Sequence, residues 1–523
     1  MKAQIKKRFK SHKTKRSAVA PVDICLLLEG TYPYVKGGVS SWIHQLISGL
    51  PEYSFHIVFL GGEPDANVNQ LYEFPKNVIG FDKYFLLDQK TQVQTKSNGT
   101  IKDPKKIEVW NTFLRFFDDV NQPICSETLL DISNSLNEIN GFTLSDFLTS
   151  EASWNVLLER YAATASHKSF VDYFWTFRNI YQPIFLLANI SRQLPQARLF
   201  HSISTGYAGF LGALARQQQN RNLLISEHGI YTKERKIDLA QASWIRDTHS
   251  DIDQTMHRDV ENTRKMWIRF YEQLGLSAYY QSKTITSLFG GYQQKQILEG
   301  APSERTKVIV NGIKTRRFDK ALHARQNSPP LVIGLIGRVV PIKDIKTFIR
   351  TIFSLVEHLP NVRGLIIGPQ EEDEKYVQEC ELLIQSLGLG NSVEMTGSQN
   401  VADILPELGA VVLTSISEAQ PLVLLEAMAA GVPCVATDVG ACSEILLGAN
   451  DEDKAIGPCG MVVPIANPEE SAAAIRTLLS DTTLWKEYGD NGRQRVTRYY
   501  EEQDMFNAYR ALYEEAINGR DRV

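Results

Sequence analysis

At 523 residues the chain exceeds the size at which a single hydrophobic core usually splits, which predicts about two to three domains. Its 43% hydrophobic and 22% charged residues are those of an ordinary globular protein, and a net charge of −4 argues against a nucleic-acid binder and against a strongly acidic tail. The six cysteines (Cys25, Cys125, Cys380, Cys434, Cys442 and Cys459) include no C-x-x-C pair, so neither a disulfide framework nor a zinc site is expected.

The chain opens on a basic arm, residues 1–19, with Lys2, Lys6, Lys7, Arg8, Lys10, Lys13, Lys15 and Arg16. Such a charge block reads as a disordered, solubilising tail. The sharper alternative is attraction to anionic lipid on the cytoplasmic face of a membrane, at about 1 kcal/mol per basic residue near the surface. No apolar core of a signal peptide follows the arm and no uninterrupted apolar run reaches the length of a membrane span, so a cytoplasmic protein is expected.

From Asp23 the pattern is that of a βαβ unit. Ile24 to Leu28 is a short apolar run suited to a buried strand, Val39, Trp42, Ile43, Leu46, Ile47 and Leu50 recur at helical spacing, and Phe55 to Leu60 is the next strand. Between the first strand and the helix lies the Gly37-Gly38 pair. Glycines let a backbone approach a phosphate or sugar closely, and a helix start favours anions; a tight turn is the plainer reading. The pattern is not G-x-G-x-x-G and has no Lys-Ser/Thr, which excludes a dinucleotide fingerprint and a P-loop.

Residues 63–193 lose this regularity and read as a large, mostly helical insertion, rich in aromatics around Phe170 to Phe177. Strand-like runs resume at Leu199 to Ile203, Leu223 to Ser226, Thr284 to Ser287 and Lys307 to Val310. His228 follows one of them directly, in Ser226-Glu227-His228-Gly229. A lone His is more often structural, but the carboxyl end of a strand in an α/β domain is where ligands bind. His201 is similarly placed and less specific. Asp251-Ile252-Asp253 and Asp451-Glu452-Asp453 both spell D-x-D, yet their charged helical or loop contexts argue against a metal pair, and no metal site is expected.

The polar segment Arg317 to Pro330 is the best linker candidate. It divides residues 20–316, a first domain carrying the insertion, from residues 317–499, a second alternation of strands and helices. Strands are expected there at Val332 to Ile336, Arg363 to Ile367, Ser392 to Met395, Ala410 to Leu413, Pro433 to Ala436 and Met461 to Val463, with a final helix in 500–523. The fold class is therefore α/β: two doubly wound, Rossmann-like domains facing a central cleft.

In the second domain the strand ending at Ile336 runs into Gly337-Arg338, with Lys343 close behind. These two cations would serve a diphosphate, Arg by bidentate contact and Lys as a point charge. Further on, Glu418 belongs to a loop and Glu426 to the helix after it, with Pro421 expected at the first helical position. The free N–H groups of Leu422 and Val423 then form an anion site. A ligand offering phosphates to the helix start, hydroxyls to Glu426 and a sugar to Glu418 would be a nucleotide sugar.

The Glu418 and Glu426 pair resembles the Glu-x7-Glu motif of retaining glycosyltransferases of family 4, which have the GT-B fold. Together with Gly337-Arg338 and Lys343, the resemblance runs from the first strand to the final helix. The opening Leu26 to Tyr34 and Gly37 to Trp42 is similar to the members of that family that build exopolysaccharides. The resemblance implies that Gly37 and Gly38 approach the donor diphosphate and that His228 contacts the donor sugar. It implies that Arg338 and Lys343 neutralise the diphosphate, that Glu418 holds sugar hydroxyls and that Glu426 holds the ribose. The base would lie near Gly368 and the Thr396-Gly397-Ser398 turn. Val310-Asn311-Gly312-Ile313-Lys314 resembles the family's Pro-Asn-Gly-Ile-Asp segment, with Val310 and Lys314 in place of its Pro and Asp. The final helix would pack back on the first domain. The implied activity is retaining, metal-independent transfer from a UDP-sugar to a growing glycan, beside an inner-membrane synthase or export complex. A nucleotide-sugar epimerase of the same fold and a non-catalytic nucleotide-sugar-binding subunit of a membrane synthase are the rival expectations.

Overall fold

The computed structural model describes residues 21–519 apart from 36, 63–68, 87–107, 109, 113, 116–122, 125, 137–141, 165–168 and 242–253. The basic arm and the Asp251 to Asp253 motif lie outside the described residues.

Two parallel sheets organise the chain. The first has strand order β3 (Val78–Phe85), β2 (Phe55–Gly61), β1 (Val22–Glu29), β4 (Ala197–Ser202), β5 (Asn222–Ser226), β6 (Thr284–Ser287), β7 (Thr306–Val308). The second runs β10 (Val393–Gly397), β9 (Arg363–Ile367), β8 (Val332–Ile336), β11 (Ala410–Leu413), β12 (Cys434–Thr437), β13 (Gly460–Val463). Helices cover both faces of each sheet, so the central strands are near-continuous apolar runs rather than alternating ones. Leu26 in β1, fully buried, pairs with Ile57 on one side and His201 on the other.

In each sheet the order reverses once, between β1 and β4 and between β8 and β11. Ligands of doubly wound sheets bind outside the carboxyl ends of the strands at such reversals. The loops after β1, β8 and β11 carry the Gly37-Gly38 pair, Arg338 with Lys343, and Glu418.

The segment expected to be a helical insertion from residue 63 contains β3, which pairs in parallel with β2 at the sheet edge. Its residues are only half-buried, and an edge strand with Lys83 and Asp82 lacks the apolar run that marks the other strands. The helices Ser126–Ser135, Leu144–Thr149, Glu151–Thr164 and Phe170–Gln193 come after it. They enclose Trp110, Phe142, Phe147, Phe177 and Phe185 in the first domain's core. A long helix, Gln254–Gln281, precedes β6. The expected linker is partly structured: a 3-10 turn Thr315–Phe318 and a short helix Asp319–His323 anchor it by burying Phe318 against the second domain.

The chain crosses back to the first domain at its end. Ile313 N–H donates to Tyr500 O at 2.9 Å and Glu502 N–H to Ile313 O at 3.0 Å, joining the two interdomain segments. Gly312 is required here, since a Cβ would lie 2.5 Å from Glu501 O. Helix Glu502–Asn518 then buries Met505, Phe506, Tyr509, Leu512 and Tyr513 against Trp42, Leu46 and Leu199. Each large side chain so buried contributes about 1.5–3 kcal/mol.

Among the described residues no helix is long and apolar enough to cross a membrane. Within Asp451-Glu452-Asp453, Asp453 is spent on a fully buried ion pair with Arg495 at 2.5 Å.

Candidate active site at the facing strand ends

The loops after β8 and β11 are stitched together by main-chain acceptors. Thr414 Oγ1 donates to Lys343 O at 2.9 Å and Asp344 O at 3.0 Å, and Ile416 N–H donates to Ile342 O at 2.9 Å. Asp344 then caps helix Ile345–His358 through Thr347 N–H, which fixes the point at which Lys343 leaves the loop. The outcome is an ion pair: Lys343 Nζ meets Glu418 Oε1, which also accepts from Ser415 Oγ at 2.6 Å. Both side chains are largely buried, at 20% and 13% exposure.

Arg338 turns to a different carboxylate. Its Nη1 lies 2.6 Å from both oxygens of Glu372, in a pair that is about half exposed on each side. Exposed pairs of this kind contribute about 0–1 kcal/mol, so exchanging Glu372 for a phosphate costs little. Both cations expected to serve a diphosphate are thus paired with carboxylates, Arg338 with Glu372 and Lys343 with Glu418.

The ends of β8, β9 and β10 form one row. Gly337 N–H donates to Ile367 O and Gly368 N–H to Gly397 O, both at 2.9 Å. Gly368 sits at φ +153° with Gly337 O only 2.0 Å from where its Cβ would be, so its need for glycine is met by packing inside the protein. Gly397 at φ +69° opens onto free space, with Ser398 beside it.

Helix Leu422–Ala429 begins at Leu422, and Pro421 is its N-cap rather than its first residue, with extended backbone at φ −73°, ψ 108°. Leu422 and Val423 are thus the first two helical positions, whose N–H groups have no acceptor within the helix. Glu426 lies one turn further in. Burial raises its carboxyl to about 6, the positive charge of Arg317 opposing that shift, and among the described residues no donor binds it.

On the first-domain side, Gly37 caps helix Gly38–Gly49 in extended conformation, and a Cβ at either Gly37 or Gly38 would meet nothing within 4 Å. His228 is buried against the Trp42 indole, ring centroids 4.1 Å apart, and its Nε2 has no hydrogen-bond partner. Burial lowers it to about 3, so the imidazole is neutral. His201 has both ring nitrogens engaged, Nδ1 with Tyr513 OH at 2.8 Å and Nε2 with Ser226 Oγ at 2.9 Å, and is structural.

Four participants are absent from the sequence reading: Glu227, Glu372, Tyr292 and Gln420. Glu227 is fully buried and accepts from Tyr279 OH at 2.5 Å, Gln296 Nε2 at 2.9 Å and Thr205 Oγ1 at 2.9 Å. Burial nonetheless raises it to about 7, these donors opposing the shift. It anchors the turn that presents His228. Tyr292 OH donates to Glu418 O at 3.1 Å. Burial and the carboxylates of Glu234, Glu418 and Glu227 push that phenol up to about 12, so the charges of both domains converge around it. The only signal for Glu227 was its place beside His228 at a strand end; the other three announce themselves through partners distant in sequence.

Chemically, the loops at these strand ends carry two cations, a helix start suited to anions, and two carboxylates able to accept hydroxyls. The family model described as a domain of unknown function, DUF3492, matches residues 22–304, and the one described as glycosyl transferases group 1 matches residues 318–495. An exopolysaccharide phosphotransferase, SCO2592 of Streptomyces coelicolor, is 32% identical over 233 residues, 43% of this chain and 23% of that protein. The lipopolysaccharide core biosynthesis mannosyltransferase LpsB of Rhizobium meliloti is 27% identical over 40% of this chain and 60% of its own length. The chain thus spans less than two thirds of the length of either relative. Among solved structures, Anabaena Alr3699/HepE in complex with UDP superposes with a TM-score of 0.55 at 16% identity, covering 94% of this chain and all of that one. Sucrose-phosphate synthase from Thermosynechococcus elongatus gives 0.54 at 17% identity, over 94% and 98%. At these identities the likeness concerns the fold, which is GT-B. The chain belongs to the DUF3492 family, its DUF3492 domain followed by a glycosyl transferases group 1 domain.

Proposed function

We propose that the protein is a retaining glycosyltransferase that moves a sugar from a UDP-sugar onto a growing exopolysaccharide without a metal ion. The observation that carries this reading is the meeting of Lys343 and Glu418 at the β8/β11 reversal, beside the helix that starts at Leu422 and holds Glu426. Lys343, Arg338 and the Leu422 and Val423 N–H groups bind the diphosphate, where negative charge develops as the bond from the sugar C1 to the phosphate oxygen breaks. Glu426 accepts the ribose hydroxyls. Glu418 and His228 hold the sugar. The acceptor hydroxyl attacks C1 on the face the phosphate leaves, and its proton passes to the departing phosphate oxygen, releasing UDP.

Support for the UDP donor comes from HepE, whose structure holds UDP, and for an exopolysaccharide product from the name of the Streptomyces relative. The opening Leu26 to Trp42 resembles PelF, the cytoplasmic glycosyltransferase of Pel exopolysaccharide biosynthesis, so a Pel-like product made in the cytoplasm and handed to a membrane complex is the specific form of the proposal. Incubating the purified protein with UDP-sugars and oligosaccharide acceptors tests it. Free UDP together with a lengthened glycan of retained anomeric configuration is expected. An altered UDP-sugar with no transfer would mark an epimerase, and binding without turnover a regulatory subunit.

A further inference from the structure

Gln420 lies two residues after Glu418, is 6% exposed, and spends its whole amide on one residue of the other domain. Its Oε1 accepts from Asn311 N–H at 2.7 Å and its Nε2 donates to Asn311 O at 3.2 Å. Both bonds are to main chain, so the clasp reads the position of the backbone and nothing of the Asn311 side chain.

That backbone is a fixed post. Just upstream, Ile309 N–H donates to Ser287 O of β6 at 2.9 Å, and just downstream Gln45 Nε2 donates to Gly312 O at 3.2 Å. Ile313 is held by Tyr500 and Glu502, as described above. The opposite side of the Glu418 loop belongs to the second domain: Ala441 N–H donates to Ala419 O at 2.8 Å, and Gly440, at φ +55°, leaves no room for a Cβ against Glu418 O at 2.3 Å. Tyr292 of helix Gly290–Leu298 adds a third first-domain bond, to Glu418 O itself. The main chain of Glu418 and Ala419 and the side chain of Gln420 are therefore held from both domains at once, while the Glu418 carboxylate is aimed by Lys343 and Ser415 within the second.

We infer that Gln420 is a positioning residue, whose amide clasp on the Asn311 main chain makes the placement of Glu418 depend on the two domains being drawn together. The inference rests on the transferase reading of Glu418. A buried amide with both its groups satisfied on main chain holds a single geometry, and a displacement of about 1 Å at a reacting group costs about a hundredfold in rate. The side chains that hold UDP in this reading, Arg338, Lys343 and Glu426, and the helix start at Leu422 belong to the second domain, so the clasp acts on turnover and leaves nucleotide affinity near its wild-type level.

The test compares wild type with Gln420→Ala, Gln420→Glu and Tyr292→Phe, by calorimetry with UDP, steady-state kinetics with a UDP-sugar and acceptor, and hydrogen exchange across residues 415–421. Gln420→Ala is expected to lower kcat about ten- to a hundredfold with UDP affinity at the wild-type level. Gln420→Glu, which keeps the acceptor for Asn311 N–H and loses the Nε2 bond, should fall between it and wild type. Exchange across 415–421 should accelerate in both. Should Gln420→Ala fail to fold, Tyr292→Phe, which removes one hydroxyl, carries the same expectation in milder form. Full kcat in a folded Gln420→Ala, or equal losses of kcat and UDP affinity, overturns the inference, as does unchanged exchange in the loop. Absence of transfer by wild type strikes the transferase reading alone, because the exchange measurement stands without it.

Discussion

Lys343 and Glu418, 75 residues apart in the chain, close on each other as an ion pair that joins the loop after β8 to the loop after β11. In the proposed reaction a donor competes for both partners: its diphosphate would take the ammonium and its sugar hydroxyls the carboxylate. Neither group is then left buried without compensation, which would be costly.

The two members of the pair should fail differently. Glu418→Gln is expected to lower kcat by about a hundredfold or more, since stabilisation realised only in the transition state is lost, with UDP affinity near normal. Lys343→Ala should weaken both UDP and UDP-sugar by roughly ten- to a hundredfold, the equivalent of a charged hydrogen bond. The double variant should depart from additivity, because each single change strands the other group. Calorimetry with UDP and steady-state kinetics on the four proteins measure this. Full activity in a folded Glu418→Gln would remove that residue from the site.

The proposed roles of the same charges carry an expectation of metal independence. With Arg338, Lys343 and the helix start at Leu422 serving the diphosphate, turnover is expected to persist in EDTA and to gain little from added Mg²⁺ or Mn²⁺. Complete loss in chelator, restored by either ion, would show that these cations do not suffice.

The row of glycines at the strand ends separates packing from function. Gly368→Ala puts a Cβ on Gly337 O in a backbone region L residues avoid, and should cost more than about 1 kcal/mol in thermal unfolding. Gly397→Ala meets only the positive φ, with open space around it, at about 1 kcal/mol. A smaller loss at Gly368 than at Gly397 would mean the close approach of β8 and β9 relaxes easily.

The architecture was legible in the sequence where burial writes long apolar runs. β1, β8, β9 and β11 span or coincide with the runs Ile24 to Leu28, Val332 to Ile336, Arg363 to Ile367 and Ala410 to Leu413, because strands covered on both faces have no polar alternation to blur them. β3 escaped, since an edge strand with Asp82 and Lys83 carries no such run. Lys343, Glu418 and Glu426 were visible as residue types at suggestive places. Their surroundings were not: Glu372 is brought to Arg338, Tyr292 to the Glu418 carbonyl and the Asn311 main chain to Gln420 only by tertiary folding, and a hydrogen bond to backbone leaves no trace in side-chain identity. The same is true of His201, which looked like His228 by position and is set apart by Ser226 and by Tyr513, the latter more than three hundred residues away.

The C-terminal helix should be integral to the first domain. Phe506 is nearly buried and its ring stands where a Cβ on Gly49 would have to go. Phe506→Ala is expected to destabilise by about 3–5 kcal/mol. A loss below about 1 kcal/mol by denaturant titration would show that the helix docks only loosely.

Glu426 gives a pH dependence whose sign can be worked out. Its carboxyl titrates at about 6 in the folded protein against 4.5 for the ordinary group, burial being the cause. Between those values the folded state holds the proton more tightly than the unfolded one, so this stabilising contribution is present at low pH and is lost as pH rises to 6. Glu426→Gln, neutral throughout, should therefore be more stable than wild type at pH 7, on the order of 1–2 kcal/mol, with the gain vanishing near pH 4.5. Ligand binding runs the opposite way. In the proposed reaction the ribose hydroxyls bind the carboxylate, so affinity for an intact UDP-sugar should fall about tenfold from pH 7 to pH 5 as Glu426 takes up its proton. The intact donor is the right probe, because the terminal phosphate of UDP titrates near pH 6 on its own account. In Glu426→Gln the affinity should be lower at pH 7 and flat across this range. A variant that binds the donor as tightly as wild type, or that keeps the same pH slope, would take Glu426 off the ribose.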